Sequence, residues 1–409
     1  MINNHPCTLQ SECVSLYNCI DGICTHKNFF PPTFPELIGM ISIAIFTGFA
    51  SLAGIGGGGV VVSLMTMFFN YSQKEALLGV FLPIFGAALG NFLNLAQQLD
   101  PQTKTPVVKI RSAIVACPAM IIGSMVGLIL NKILPAFFLI SILQYFLFLS
   151  CQKFYKTALK EQNNENQRKQ TQNSVEIPIL NKLSQEEKQQ PLQGASLKEN
   201  IDLIVAICVI VITVLLGFFL RGSPNVQSII GISYCGFFYW IITLGLVVVL
   251  FYYFEYIFDR FQKEELKPLK KECLRDSFKA GIFNGFGLGG GMILIPMYLG
   301  MGFTTIQSTG TSSFNVLLSS FQVAAQVIIL GYMGTLQAIS LFTMTVIGCY
   351  LSSSYIFNNL KKRDRLSLIM WGLVGFVIFA MVNLAIQFIQ KWSHNGYQIS
   401  ELFAFQSIC

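Results

Sequence analysis

Gly285-Phe286-Gly287-Leu288-Gly289-Gly290-Gly291 runs into Met292-Ile293-Leu294-Ile295-Pro296 inside an otherwise apolar stretch. Five glycines in seven residues do not sustain a helix, since each costs roughly 1 kcal/mol against alanine. Within a bilayer the freed N–H and C=O groups have no water to bond. Such a break survives only where it is packed in protein or lines a polar cavity. The device occurs twice, because Gly54-Ile55-Gly56-Gly57-Gly58-Gly59 precedes Val60-Val61-Val62-Ser63. Gly54, Gly56, Gly57 and Gly58 align at one constant offset with Gly287, Gly289, Gly290 and Gly291, and Ser63, Ser72 and Ala76 then meet Pro296, Thr305 and Thr309. A glycine break in corresponding places of two halves is a pointer to the substrate site of a transporter.

Composition supports a membrane setting. The chain is 53% hydrophobic and 11% charged, with 36 phenylalanines, against about 25% charged residues in soluble domains. Many apolar runs reach the ~20 residues that cross a bilayer. The net charge of +7 is not a nucleic-acid signal, because the basic residues cluster in loops between apolar runs and set topology there.

The segment 1–35 is polar and carries Cys7, Cys13, Cys19 and Cys24. Four cysteines this dense predict two disulfides of open connectivity, hence an outside or lumenal face. A reduced tail or a small metal site is the alternative. Residues 36–152 form a first membrane region. Residues 153–200 are rich in Gln, Asn, Glu and Lys and predict a disordered cytoplasmic linker. Residues 201–390 form a second membrane region, whose part from about 274 onward repeats the first, and 391–409 is a short tail.

Counting crossings against the positive-inside rule favours eight spans and two segments that enter and return at the glycine breaks. With that count the cysteine tail is outside, while the linker and the basic clusters near Lys279 and Lys361 are inside. Full crossing at the breaks would instead force the tail into the cytosol or the linker out. The expected fold is therefore an all-α polytopic membrane protein of two inverted repeats, each a glycine-broken re-entrant helix plus three transmembrane helices.

Half-helices meeting at a glycine break aim N–H groups at the midplane, where partial positive charge suits anions. The expected substrate-binding set is Gly56, Gly57, Gly58, Gly59, Asn91, Gly289, Gly290, Gly291, Thr309, Thr311, Ser312 and Asn315. The bland alternative is close helix packing through small residues. Span interiors hold almost no Asp, Glu, Lys or Arg, so no proton relay can be named. The histidines His5, His26 and His394 lie in tails, which argues against a histidine metal or hydrolase centre in the membrane. No paired acids, nucleophile setting or nucleotide-binding motif is present. The competing function is a membrane receptor or scaffold that displays the cysteine module, which has no need of broken helices.

At the two glycine motifs the chain resembles the sulfite exporter (TauE/SafE) family, in its eukaryotic form with a cysteine-rich tail. The match is strongest at Gly287-Leu288-Gly289-Gly290-Gly291-x4-Pro296, with Gly310-Thr311-Ser312 after it. In the first half Ser63 stands where a proline is expected, and Val80-Phe81 follows Gly79 in place of Thr-Ser. The resemblance implies a secondary transporter of sulfite, sulfonates or related organosulfur anions, with no enzymatic activity and no cofactor. Its partners would be the small anion and the bilayer. It would sit in the plasma membrane or an endomembrane, with coupling ion and oligomeric partner unnamed.

Overall fold

The computed structural model describes residues 9, 16–20, 22–27, 29–52, 57–71, 73–100, 103–174, 197–222, 227–261, 269–329, 333–356 and 367–394. Two short strands, β1 (Tyr17–Ile20) and β2 (Ile23–His26), pair antiparallel in the tail and set Cys19 opposite Cys24. Cys7 and Cys13 lie outside the described residues. The other elements among the described residues are helical, with one isolated β-bridge between Leu99 and Pro106 in the loop before the residues around 110.

Helix α1 (Phe34–Leu52) is followed by α2 (Gly58–Phe68), with the first glycine break between them. A methyl group on Gly39, near the start of α1, would lie 2.6 Å from Phe68 Cβ at the end of α2. The two helices therefore fold back on each other. The second break separates α9 (Lys270–Gly285) from α10 (Gly291–Gly300) in the same way. There Ser277 Oγ, early in α9, meets Met297 Sδ, late in α10, at 3.7 Å.

Helices α3 (Gln73–Gly79) and α4 (Phe81–Leu95) meet at Val80, whose φ of −60° and ψ of −23° stay helical, so Glu75–Leu95 forms one stretch long and apolar enough to cross a membrane. Helices α5 (Ile110–Ile133), α6 (Ala136–Ser174), α7 (Leu197–Arg221) and α8 (Phe237–Phe261) follow. After the second hairpin come α11 (Thr305–Ile329), α12 (Thr335–Leu351) with a π-turn at Ser352–Ile356, and α13 (Ser367–His394). Among the described residues seven helical stretches are long and apolar enough to cross a membrane, α1 included. The lipid-facing side of α7 and α8 is apolar, with Ile204, Ile212, Leu216, Leu244 and Tyr252 exposed.

The linker does not begin at 153 as expected. Helix α6 continues to Ser174, because its polar half finds partners on α13. The buried Glu165 carboxylate accepts from the Ser367 N–H and hydroxyl, each at 2.6 Å, and Trp371 Nε1 donates to Gln162 at 3.2 Å. Residues 175–196 lie outside the described residues.

Contacts between loops fall into two groups, one at each end of the bundle. At one end Tyr17 donates to the Asn70 carbonyl at 3.4 Å, Lys27 pairs with Glu36 at 2.9 Å, Tyr71 bonds Gln337, and Lys132 reaches Tyr234 at 3.5 Å. At the other, Arg260 pairs with Asp202 at 2.9 Å and Lys270 with Asp259 at 3.0 Å, while Thr304 donates to Asp100 at 3.0 Å.

Candidate functional site

The two glycine breaks meet at the centre of the bundle. A methyl group on Gly58 would sit 1.8 Å from the Gly287 carbonyl oxygen. Gly57, at the head of α2, and Gly287 and Gly289 in the second break have φ of 65°, 78° and 78°, the left-handed region that glycine enters without steric cost. Gly290 faces the Ala280 carbonyl oxygen at 2.7 Å from its would-be methyl. The glycines thus serve both turn and close approach. Gly57, Gly58 and Gly59 also line a small apolar pocket with Phe46, Leu147, Leu288 and Met292. Gly56 lies outside the described residues.

Polar side chains gather on the other side of the breaks, in two clusters. Beside the first break Asn91 Nδ2 donates to the Ser51 carbonyl at 3.2 Å and to Ser313 Oγ at 2.8 Å, and Ser313 donates to the Thr309 carbonyl at 3.0 Å. Ser51 Oγ lies 3.2 Å from Cys349 Sγ on α12. Beside the second break Asn284 Nδ2 donates to Ser124 Oγ on α5 at 3.3 Å and to Ser319 Oγ on α11 at 3.2 Å. One turn away Asn315 bonds the Tyr298 hydroxyl of α10. All these side chains are buried apart from Thr309, which is half-buried.

The expected site residues are therefore distributed. Asn91 joins the first cluster, Ser312 and Asn315 belong to the α11 face nearer the second, and Thr311 serves a third purpose. Its Oγ1 accepts the Lys109 backbone N–H at 3.1 Å, which ties α11 to the loop between α4 and α5. That loop is held further by Gln307, whose amide donates to Thr103 and Thr105 at 2.8 Å each, and by buried Asp100, which accepts from Thr103 at 2.8 Å. Burial holds the Lys109 amine below the ordinary lysine range, against the pull of nearby Asp100.

Sequence reading missed Ser51, Asn284, Ser124, Ser319, Tyr298 and Cys349. The signal for two of them was present, because Ser51 and Asn284 each stand three residues before the aligned Gly54 and Gly287. The others sit on α5, α10, α11 and α12 and become neighbours only through packing. Small residues permit that packing. A methyl on Gly123 of α5 would lie 2.1 Å from the Phe278 carbonyl of α9, and one on Gly348 of α12 would lie 2.6 Å from the Ala44 carbonyl of α1. Close backbone approach through small residues is the usual mode of helix association in lipid.

These features define an all-helical, multi-pass membrane protein with glycine-broken hairpins and neutral polar clusters at its centre. The chain is 23% identical to sulfite exporter TauE/SafE family protein 1 of Arabidopsis thaliana over 395 residues, covering 90% of this chain and 85% of that one. It is 24% identical to family protein 2 of the same plant over 91% of this chain and 87% of the relative. With family protein 5 the identity is 25% over 70% and 68%. The resemblance to the sulfite exporter TauE/SafE family read from the glycine motifs thus holds over most of the chain. No protein-family model matches the chain. No solved structure matches it.

Proposed function

We propose that the protein is a secondary transporter of small anions, of the sulfite, sulfonate or related organosulfur class. The site is proposed at the midplane, where the two glycine-broken hairpins meet beside α4, α5 and α11. The observation that carries this reading is the contact of Gly58 with the Gly287 carbonyl. It brings two breaks from opposite halves of the sequence to one point, with uncharged amides and hydroxyls around it. A receptor or scaffold has no use for interrupted helices at its centre.

The inverted repeat belongs to the same proposal. Three observations support it. The first hairpin opens toward the end that holds Lys27 and Glu36, the second toward the end that holds Lys270 and Asp259. Helix α1 packs on α12 as α9 packs on α5, through Gly348 and Gly123 respectively. The contact of Ser51 with Cys349 at 3.2 Å has its counterpart in that of Asn284 with Ser124 at 3.3 Å. In both cases the α5 or α12 partner directly follows the packing glycine. Opposed repeats around a fixed central site are the architecture of alternating access.

Radiolabelled sulfite, methanesulfonate and sulfate uptake into proteoliposomes, with and without a pH gradient, tests the function. The expected result is saturable uptake of sulfite or methanesulfonate above that of protein-free vesicles. Uptake no faster than in empty vesicles for all three would exclude anion transport. We further propose that the tail faces the outside or lumen with its cysteines disulfide-bonded. A membrane-impermeant thiol reagent, applied to intact cells after mild reduction, should then label Cys7, Cys13, Cys19 or Cys24. Labelling that requires permeabilised cells would place the tail inside.

A further inference from the structure

Helices α8 and α9 both pack on α5. Between them runs a groove of about 660 Å³, a volume within the ~300–1,000 Å³ of ordinary ligand pockets. Its floor holds Ala119 and Ile122 of α5, and its α8 wall holds Val248 and Phe251, both exposed on the protein. The α9 wall is Lys271, Leu274, Arg275 and Phe278. Their spacing of three, one and three residues sets all four on one face of that helix. The groove is therefore apolar along its length and cationic at one end. At that end Lys270 reaches Glu255 and Asp259 of α8 at 2.5 and 3.0 Å, which ties the two walls together beside the cations.

Acids leave much of this positive charge open. Lys271 has no ion-pair partner among the described residues. Arg275 meets its neighbour Asp276 through Nε at 2.9 Å and through one terminal nitrogen at 3.3 Å. Asp276 is in turn shared with Lys279 at 3.8 Å. A guanidinium carries five N–H donors, so three of those on Arg275 remain for another acceptor. Lys270 and Lys271 also stand in the first turn of α9, where the helix dipole favours negative charge rather than positive. The first N–H groups of α9 have no side-chain cap. Cations beside open N–H groups at a helix start suit an anionic group. Glu272, in the same turn, lines a different cavity, on the side of α10.

We infer that this groove binds one anionic phospholipid. An acyl chain lies along Phe251, Leu274 and Phe278, and the headgroup phosphate rests on Lys271 and Arg275. Basic pockets between transmembrane helices recognise anionic headgroups in this way, and arginine takes a phosphate through paired donors. With the tail outside, as proposed above, the headgroup lies in the cytoplasmic leaflet, which is the anionic one. The lipid then bridges α8 and the first arm of the second broken hairpin.

Native mass spectrometry of the delipidated full-length protein in detergent tests this. The probes are dioleoylphosphatidylglycerol, dioleoylphosphatidylcholine and glycerophosphate: the same tails with and without net charge, and the headgroup phosphate without tails. The expected result is one phosphatidylglycerol bound on the order of 10-fold tighter than phosphatidylcholine, with no glycerophosphate bound. In Lys271→Gln combined with Arg275→Gln the two lipids should bind alike. Lys160→Gln, which removes an exposed cation from α6, should keep the preference. Val248→Trp fills the groove from α8 and should weaken phosphatidylglycerol by a similar factor. Should the double variant not fold, Lys271→Gln alone should cut the preference severalfold. Equal binding of the two lipids by the native protein, or a preference unchanged in the charge variants, would overturn the inference. So would native affinity in Val248→Trp, since the acyl chain would then lie elsewhere. Glycerophosphate bound as tightly as phosphatidylglycerol would assign the cations to a free anion and overturn it as well.

Discussion

Gly58→Ala should leave little folded protein. The added methyl would lie 1.8 Å from the Gly287 carbonyl oxygen and 2.8 Å from its carbon. Backbone cannot swing aside as a flexible side chain can, so the two breaks must separate. Overpacking a tight core usually costs 1–3 kcal/mol, and here the clash is with main chain, so about 3 kcal/mol or more is expected. Gly281→Ala should behave alike, with its methyl 2.0 Å from the Met120 carbonyl oxygen. Gly245→Ala on α8 is the matching control, because nothing lies within 4 Å of its would-be methyl. Detergent-solubilised yield and thermal midpoint by size-exclusion fluorescence would measure all three. A Gly58→Ala protein as abundant and heat-resistant as Gly245→Ala would mean that the breaks do not touch. Gly290→Val, an obvious probe of the second break, is a poorer test of binding, since its Cβ meets Met120 and the Ala280 carbonyl. Loss of flux there would follow from packing alone.

The glycine breaks were legible because glycine excess within an apolar run contradicts helix propensity, and propensity is a local property. Charge placement at the loops led to the expectation that the chain enters and returns at the breaks. The packing of Gly39 against Phe68 agrees with a fold-back of the first hairpin, and the re-entrant topology belongs to the proposal. What stayed hidden is what depends on neighbours far apart in sequence. Asn284 reads as an ordinary polar residue until Ser124 and Ser319 are seen on either side of it. The end of α6 was misjudged for the same reason. Residues 153–174 have a linker's composition, but Glu165 is held by Ser367 across 202 residues of sequence. Conversely Thr309, Thr311 and Ser312 were expected in one substrate-binding set, whereas a helix turns each successive residue by about 100°. Thr311 and Ser312 consequently point to different sides of α11, and of the two, Thr311 bonds the Lys109 N–H.

That divergence makes the two adjacent hydroxyls separable by experiment. Thr311 Oγ1 accepts the Lys109 N–H at 3.1 Å, so Thr311→Val strands a backbone donor of the loop between α4 and α5. A donor left unsatisfied costs about 1–3 kcal/mol of stability, and the thermal midpoint should fall while apparent anion affinity holds. Ser312 Oγ has no partner among the described residues, so Ser312→Ala should leave stability nearly unchanged. If the proposed site is right, however, Ser312 donates to the anion. A hydrogen bond to a charged group is worth about 1.5–3 kcal/mol, so affinity should drop on the order of 10- to 100-fold. Thermal midpoints and the concentration dependence of sulfite or methanesulfonate uptake, measured on both variants, give a crossed pattern: stability moves in one and affinity in the other. If Ser312→Ala keeps native affinity while Thr311→Val loses it, the anion is held on the face of α11 turned toward the loop, and the contact of Thr311 with Lys109 is then one that substrate must displace.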